Sequence, residues 1–150
     1  MLQNFLFISL IFVFEFKKTE IMSYYISTTL ENTAFADAID KTVAALKEEG
    51  FGVLTEIDIK STLKNKLDAD FYNYTILGAC NPGLAHQALQ SENKIGTMLP
   101  CNVIVQEREP GKIEISAVDP AASMMAVKND SLIEIATDVQ KRLTKVIQSI

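Results

Sequence analysis

A chain of 150 residues, 48% hydrophobic and 22% charged, can bury one sizeable core unaided, and with only two cysteines it is no disulfide scaffold. Nineteen acidic against 14 basic residues give a net charge of −5. No dense Lys/Arg stripe offsets that balance, which argues against a phosphate-neutralising surface and against nucleic acid as a partner.

The chain opens on an apolar run, residues 5–14, shorter than the ~20 residues a spanning helix requires. Positive charge before the run and a small-residue cleavage pattern after it, the marks of a secretory signal, are both missing. The expectation is that residues 1–21 are an N-terminal extension from an upstream start and that the working domain, 22–150, begins at Met22. A membrane-associating leader is the alternative, and neither implies stable membrane insertion of the domain.

Residues 23–30 (SYYISTTL) read as a first strand near a sheet edge. Asn32-Thr33 offers a helix cap. Phe35, Ile39, Val43 and Leu46, with Ala38 and Ala45, then form one stripe of a helix that Gly50 closes. In the second strand Phe51, Val53, Ile57 and Ile59 share one parity and Glu56 and Asp58 the other, with Leu54 breaking the alternation. Residues 61–67 are either a short helix or an ordered loop. Lys60, Lys64 and Lys66 around them form the only basic cluster, which reads as a solvated face.

In the third strand Tyr72, Tyr74 and Ile76 share the parity of Cys80, unless a bulge at Gly78 intervenes. Asn81-Pro82 starts a helix by two mechanisms: Asn accepts from an orphan amide, and Pro at the first position loses nothing by lacking N–H. That helix is expected to bury Leu84, Ala85, Ala88 and Leu89 and to end near Ser91. A loop over residues 92–100 leads to a fourth strand in which Cys101 shares the parity of Val103 and Val105. Glu109-Pro110-Gly111-Lys112 then turns the chain into Ile113, Ile115 and Ala117 as a hairpin. Asp119-Pro120 launches a short Ala/Met segment whose Met124-Met125 pair reads as core. Ser131 to Glu134 matches a capping box, and Leu132, Ile135, Ala136, Val139, Leu143, Val146 and Ile147 trace a long closing helix.

Both cysteines stand at element boundaries, each followed by Asn. Cys80 lies two residues before a helix start, where free amides and the positive end of the helix dipole favour a thiolate. The opposing reading treats each cysteine as a small buried apolar side chain. If the third and fourth strands are antiparallel neighbours, Cys80 and Cys101 share a sheet edge; a parallel crossover would hold them ~15 Å apart or more. One histidine, His86, and no Cys-x-x-Cys spacing leave no zinc site within one chain, and the expected metal is none. No nucleophile elbow, phosphate loop or dinucleotide fingerprint is present.

The segments Glu56 to Lys60, Lys66-Leu67, Ile76 to Pro82 with its Gly-Ala-Cys-Asn-Pro, Leu99 to Val103 with its Leu-Pro-Cys-Asn, and Asp119-Pro120 together resemble the DUF302 family, of the TT1751-like superfamily, over residues 23–150. The resemblance implies an α+β two-layer sandwich, a mostly antiparallel sheet of about five strands with helices on one face, similar in topology to one repeat of the TATA-binding protein and often dimeric. It transfers a shape and two cysteine motifs and not an activity, and it leaves the cofactor unknown.

The expectation carried forward is a cytoplasmic, non-hydrolytic binding or redox domain with a thiol site of Cys80, Asn81, Cys101 and Asn102. Lys66 and Glu56 are the candidate charge partners. The alternative is a homodimeric ligand-binding or regulatory module, with an apolar pocket for a small molecule and purely structural cysteines. A conventional enzyme would need carboxylates such as Glu56 or Asp58 converging on the thiols.

Overall fold

The computed structural model describes residues 23–150. The expected Met22 start and the 1–21 extension lie outside them. In chain order the elements are β1 (Tyr25–Glu31), α1 (Phe35–Glu48), β2 (Gly52–Asp58), α2 (Ile59–Leu67), β3 (Asn73–Cys80) and α3 (Pro82–Ser91). A 3-10 turn (Ile95–Met98) leads into β4 (Cys101–Glu109) and β5 (Lys112–Val118). A short α4 (Pro120–Ser123) then runs into a second 3-10 turn (Met124–Ala126), and α5 (Ser131–Ser149) closes the chain.

The five strands form one antiparallel sheet in the order β1-β5-β4-β3-β2, an α+β architecture. One sheet face is closed. Leu77, Ala79, Cys101, Val103, Val105, Ile113, Ile115 and Ala117 project from it against Ala38 and Leu46 of α1 and Val139, Leu143, Val146 and Ile147 of α5. Burying each of these large aliphatic side chains stabilises the fold by roughly 1.5–3 kcal/mol. The sequence stripe of α5 is the face the structure buries, with Ile135 half-buried. Under the loop that leads to β4, Ala88, Ile95 and Leu132 form a second, smaller cluster, joined by Leu99 and Met124.

Several local expectations are corrected. Helix α1 is capped at Ala34, while Asn32 takes a left-handed turn with φ of 52°. Thr42 is buried where Val43 was expected, and its hydroxyl donates to the Ala38 carbonyl at 2.7 Å, so a polar group enters the core already paired. Residues 61–67 are helical, and Ile59 belongs to α2, because the Asp58 carboxylate caps it by accepting from the Ser61 amide. Helix α5 has no capping box at Ser131; the Asn129 side-chain oxygen accepts from the Ser131 amide instead. Leu89 and Met125, both expected inside, are 45% and 66% exposed.

The correction with the widest reach concerns β2. The β2–β3 register slips between Val53 and Thr55, so Leu54 is an extra, unpaired residue: a bulge. Val53 pairs with Ala79 on the closed face, but beyond the bulge Ile57 pairs with Ile76 on the open face and is 44% exposed. The shared parity of Val53 and Ile57 therefore does not put them on one face. Gly78 sits opposite this slip. A Cβ there would run into the Thr55 side chain and Pro100, so glycine is required by close approach rather than by backbone angle.

Candidate functional site

Strands β3 and β4 are antiparallel neighbours, so Cys80, the last residue of β3, and Cys101, the first of β4, lie at the same end of the sheet. The register runs without a shift from Asn73 to Ala79, which faces Cys101 on the last rung of the ladder. No bulge intervenes at Gly78, and Cys80 keeps the parity of Tyr74 and Ile76 along the strand. Past that rung the backbones part, one turning through Asn81 into α3 and the other arriving through Leu99 and Pro100. A narrow apolar cleft of about 30 Å³ opens there, bordered by both cysteines and by Phe51, Leu84, Leu99 and Met124.

Local sequence explains this corner. The Asn81 side-chain oxygen accepts from the Leu84 amide at 3.1 Å, and Pro82 occupies the first helical position, so α3 begins where the sequence places it. On the other side of Asn81, Gly50 adopts a φ of +82° and leaves room for the Asn81 side-chain nitrogen; a Cβ at Gly50 would lie 3.1 Å from it.

The thiols are free. Cys101 is 7% exposed, and burial, with the neighbouring Cys80 charge as a second cause, pushes its thiol up to about 11. Cys80 is half-buried, and burial pushes its thiol up as well. This runs against the expected electrostatic priming: burial raises both thiols, and no lowering cause accompanies it at Cys80. Of the companions predicted for them, Asn81 is a structural cap and Asn102 is exposed on the open face beside the tyrosines. Lys66 lies on α2, which starts where β2 ends, about 20 Å along the strand from the Gly52–Cys80 pairing. Glu56 is exposed on the edge strand opposite Leu77, and no charged group contributes to the Cys80 shift. The conventional-enzyme arrangement, with carboxylates converging on the thiols, is not formed.

Sequence reasoning missed a groove of about 590 Å³ between the 3-10 turn at Met124 and the first turns of α5. Met124, Met125, Leu132 and Ile133 supply its apolar surface and Lys128, Asn129 and Thr137 its polar one. Met124 and Ala136 line both this groove and the thiol cleft, so the two adjoin. The signal was the Met124-Met125 pair, two flexible side chains in a segment too short to bury both. Across the sheet, the open face carries a second concavity of about 490 Å³ around Tyr24, Tyr25, Tyr74 and Ile104.

Among the described residues no cluster of three or more His, Cys, Asp and Glu could hold a metal ion, and no helix is long and apolar enough to cross a membrane. Comparison with known proteins places the chain. Residues 26–150 match a family model described as a domain of unknown function, DUF302. A crystal structure of an uncharacterized conserved DUF302 protein from Bacillus stearothermophilus superposes with a TM-score of 0.77 at 30% identity, covering 85% of this chain and 98% of that one. No curated protein matches.

Proposed function

The chain belongs to the DUF302 family, a domain of unknown function, and from that premise we propose that it is a small-ligand binding domain whose site is the thiol cleft and the groove beside it. The observation that carries this reading is that Cys80, Cys101 and Met124 border one apolar cleft, and that Met124 and Ala136 continue it into a groove of ligand-sized volume. Protonated thiols are poor nucleophiles but good soft walls, so binding is better supported here than thiolate catalysis or redox exchange. Two free cysteines suit a reducing, cytoplasmic setting.

The test couples the two parts of the site. An apolar fluorescent probe, anilinonaphthalene sulfonate, is expected to bind the groove and to be displaced when Cys80 is labelled with a bulky maleimide. Unchanged probe binding after complete labelling would separate cleft from groove and remove the reading.

A second reading, a homodimer with purely structural cysteines, draws on the open sheet face. There Tyr25, Tyr74, Ile76, Ile104 and Ile57 stand with no covering layer among the described residues, an apolar centre with a polar rim of the kind that protein partners cover. Sedimentation of the wild type and of Ile104→Asp distinguishes it: a dimer that the substitution converts to monomer supports it, and a wild-type monomer removes it.

A further inference from the structure

We propose that the open sheet face binds a free α-amino acid with an apolar or aromatic side chain, its carboxylate held by Arg108, its ammonium by Glu114 and its side chain by Tyr74 and Ile104. This site shares no residue with the thiol cleft or the groove beside it.

The strand register builds the site. Thr29, Glu114, Gln106 and Tyr74 stand opposite one another on β1, β5, β4 and β3, one row across the open face. The next row is Ser116, Ile104 and Ile76. Arg108 follows Gln106 by two residues and borders the same concavity of about 490 Å³, with Tyr24 and Tyr25 on its far side. That volume lies within the roughly 300–1,000 Å³ of small-molecule sites. The closeness of these groups shows at Tyr74, whose hydroxyl is pushed up by burial first and then by Tyr72, Tyr24 and Glu114.

The charges decide the ligand. Arg108 and Glu114 line both this concavity and a smaller polar one of about 280 Å³ beside it, yet neither makes an ion pair among the described residues. Lys112 and Glu109, which border the smaller concavity, pair with each other at 4.0 Å instead. One Glu114 oxygen accepts from the Ser116 hydroxyl at 3.1 Å, and the Gln106 oxygen accepts from Tyr72 at 3.3 Å. The second Glu114 oxygen and the Gln106 side-chain nitrogen keep their capacity for a ligand.

A cation and an anion thus face one concavity from neighbouring strands. A ligand that is only an anion meets repulsion from Glu114, and one that is only a cation meets it from Arg108. A zwitterion satisfies both, and a guanidinium takes a carboxylate through two parallel hydrogen bonds. The two charges of an α-amino acid sit on one carbon, which suits partners on strands about 5 Å apart. Between them the floor is Ile104 and the wall is Tyr74, hydrocarbon and ring against which an apolar or aromatic side chain packs. A nucleic acid fits poorly, because one arginine in a chain of net charge −5 does not neutralise a run of phosphates.

The experiment is equilibrium dialysis of the full chain against L-phenylalanine, phenylalanine amide and N-acetylphenylalanine at neutral pH. The wild type is expected to bind one phenylalanine per chain, and each derivative, lacking one of the two charges, about 10-fold or more weakly. Arg108→Gln and Glu114→Gln should each weaken phenylalanine binding by a similar factor. Arg108 is exposed, and glutamine at position 114 can still accept from Ser116, so both variants should fold. In Glu114→Gln the preference for the free over the acetylated amine should vanish, a signature that a merely structural role would not produce. No saturable binding of phenylalanine, equal binding of the three ligands, or binding unchanged in both variants overturns the proposal. A wild-type dimer that Ile104→Asp dissociates and that takes up no phenylalanine assigns the face to a second copy and overturns it as well.

Discussion

The two faces of the sheet are made from alternate residues of the same strands, yet they have opposite fates. On the closed face Leu77, Val103, Val105, Ile113 and Ile115 are fully buried beneath α1 and α5. On the open face Ile76, Ile104 and Tyr74 are only half-covered, and Ile57 and Tyr25 are exposed. Apolar content alone therefore does not tell which face is the core. The difference lies in what each face meets: two amphipathic helices with matching stripes on one side, and on the other a concavity of tyrosines, Arg108 and Glu114. Of the two thiols, Cys101 belongs to the closed side and is buried with it, whereas Cys80 keeps the parity of the open face and is half-buried.

The sharpest way to break the comparison is to truncate each face in turn. Leu143→Ala, on the α5 stripe, should cost about 2–5 kcal/mol in denaturant unfolding, through lost transfer energy and the cavity left behind.

Next comes the alkaline limb of stability. The Cys101 thiol is raised from its ordinary 9.0 to about 11 in the folded state, so the unfolded chain gives up that proton first. The associated stability is fully present below pH 9 and is lost as pH rises through the window to 11, by at most about 2–3 kcal/mol. Unfolding midpoints measured across that window should fall in the wild type and flatten in Cys101→Ala.

Gly78→Val forces a side chain between Thr55 and Pro100 and should cost about 1–3 kcal/mol, read from the same unfolding curves. Asn81→Ala removes the α3 cap and should cost about 1 kcal/mol. Smallest of all, Ile104→Ala on the open face should shift stability by no more than about 0.5 kcal/mol in dilute protein. A loss as large as that of Leu143→Ala would mean that the open face is covered by a second copy and that the two faces are equivalent after all.

Much of the fold was legible in the residues. The alternation in β4 and β5, the Asn-Pro and Asp-Pro starts of α3 and α4, and the seven-residue stripe of α5 are local signals, set by backbone sterics and by the periods of helix and strand. The misreadings of β2, Leu89 and Met125 share one cause. Parity along β2 was carried through Leu54 as if the strand were regular, but the insertion of one unpaired residue is decided by what β3 and Pro100 require across the ladder. The same holds for Leu89 and Met125, whose exposure depends on which neighbours arrive at their helix faces.

By itself the sequence determined the kinds of element, their order, the family to which the chain belongs and the end of the sheet at which the cysteines would be sought. Tertiary structure alone decided the burial of those sulfurs and the company they keep. Propensity and capping act over a few residues and are written in them, whereas desolvation and cavity shape arise only when distant segments, here β4, α3 and the turn at Met124, close on one point.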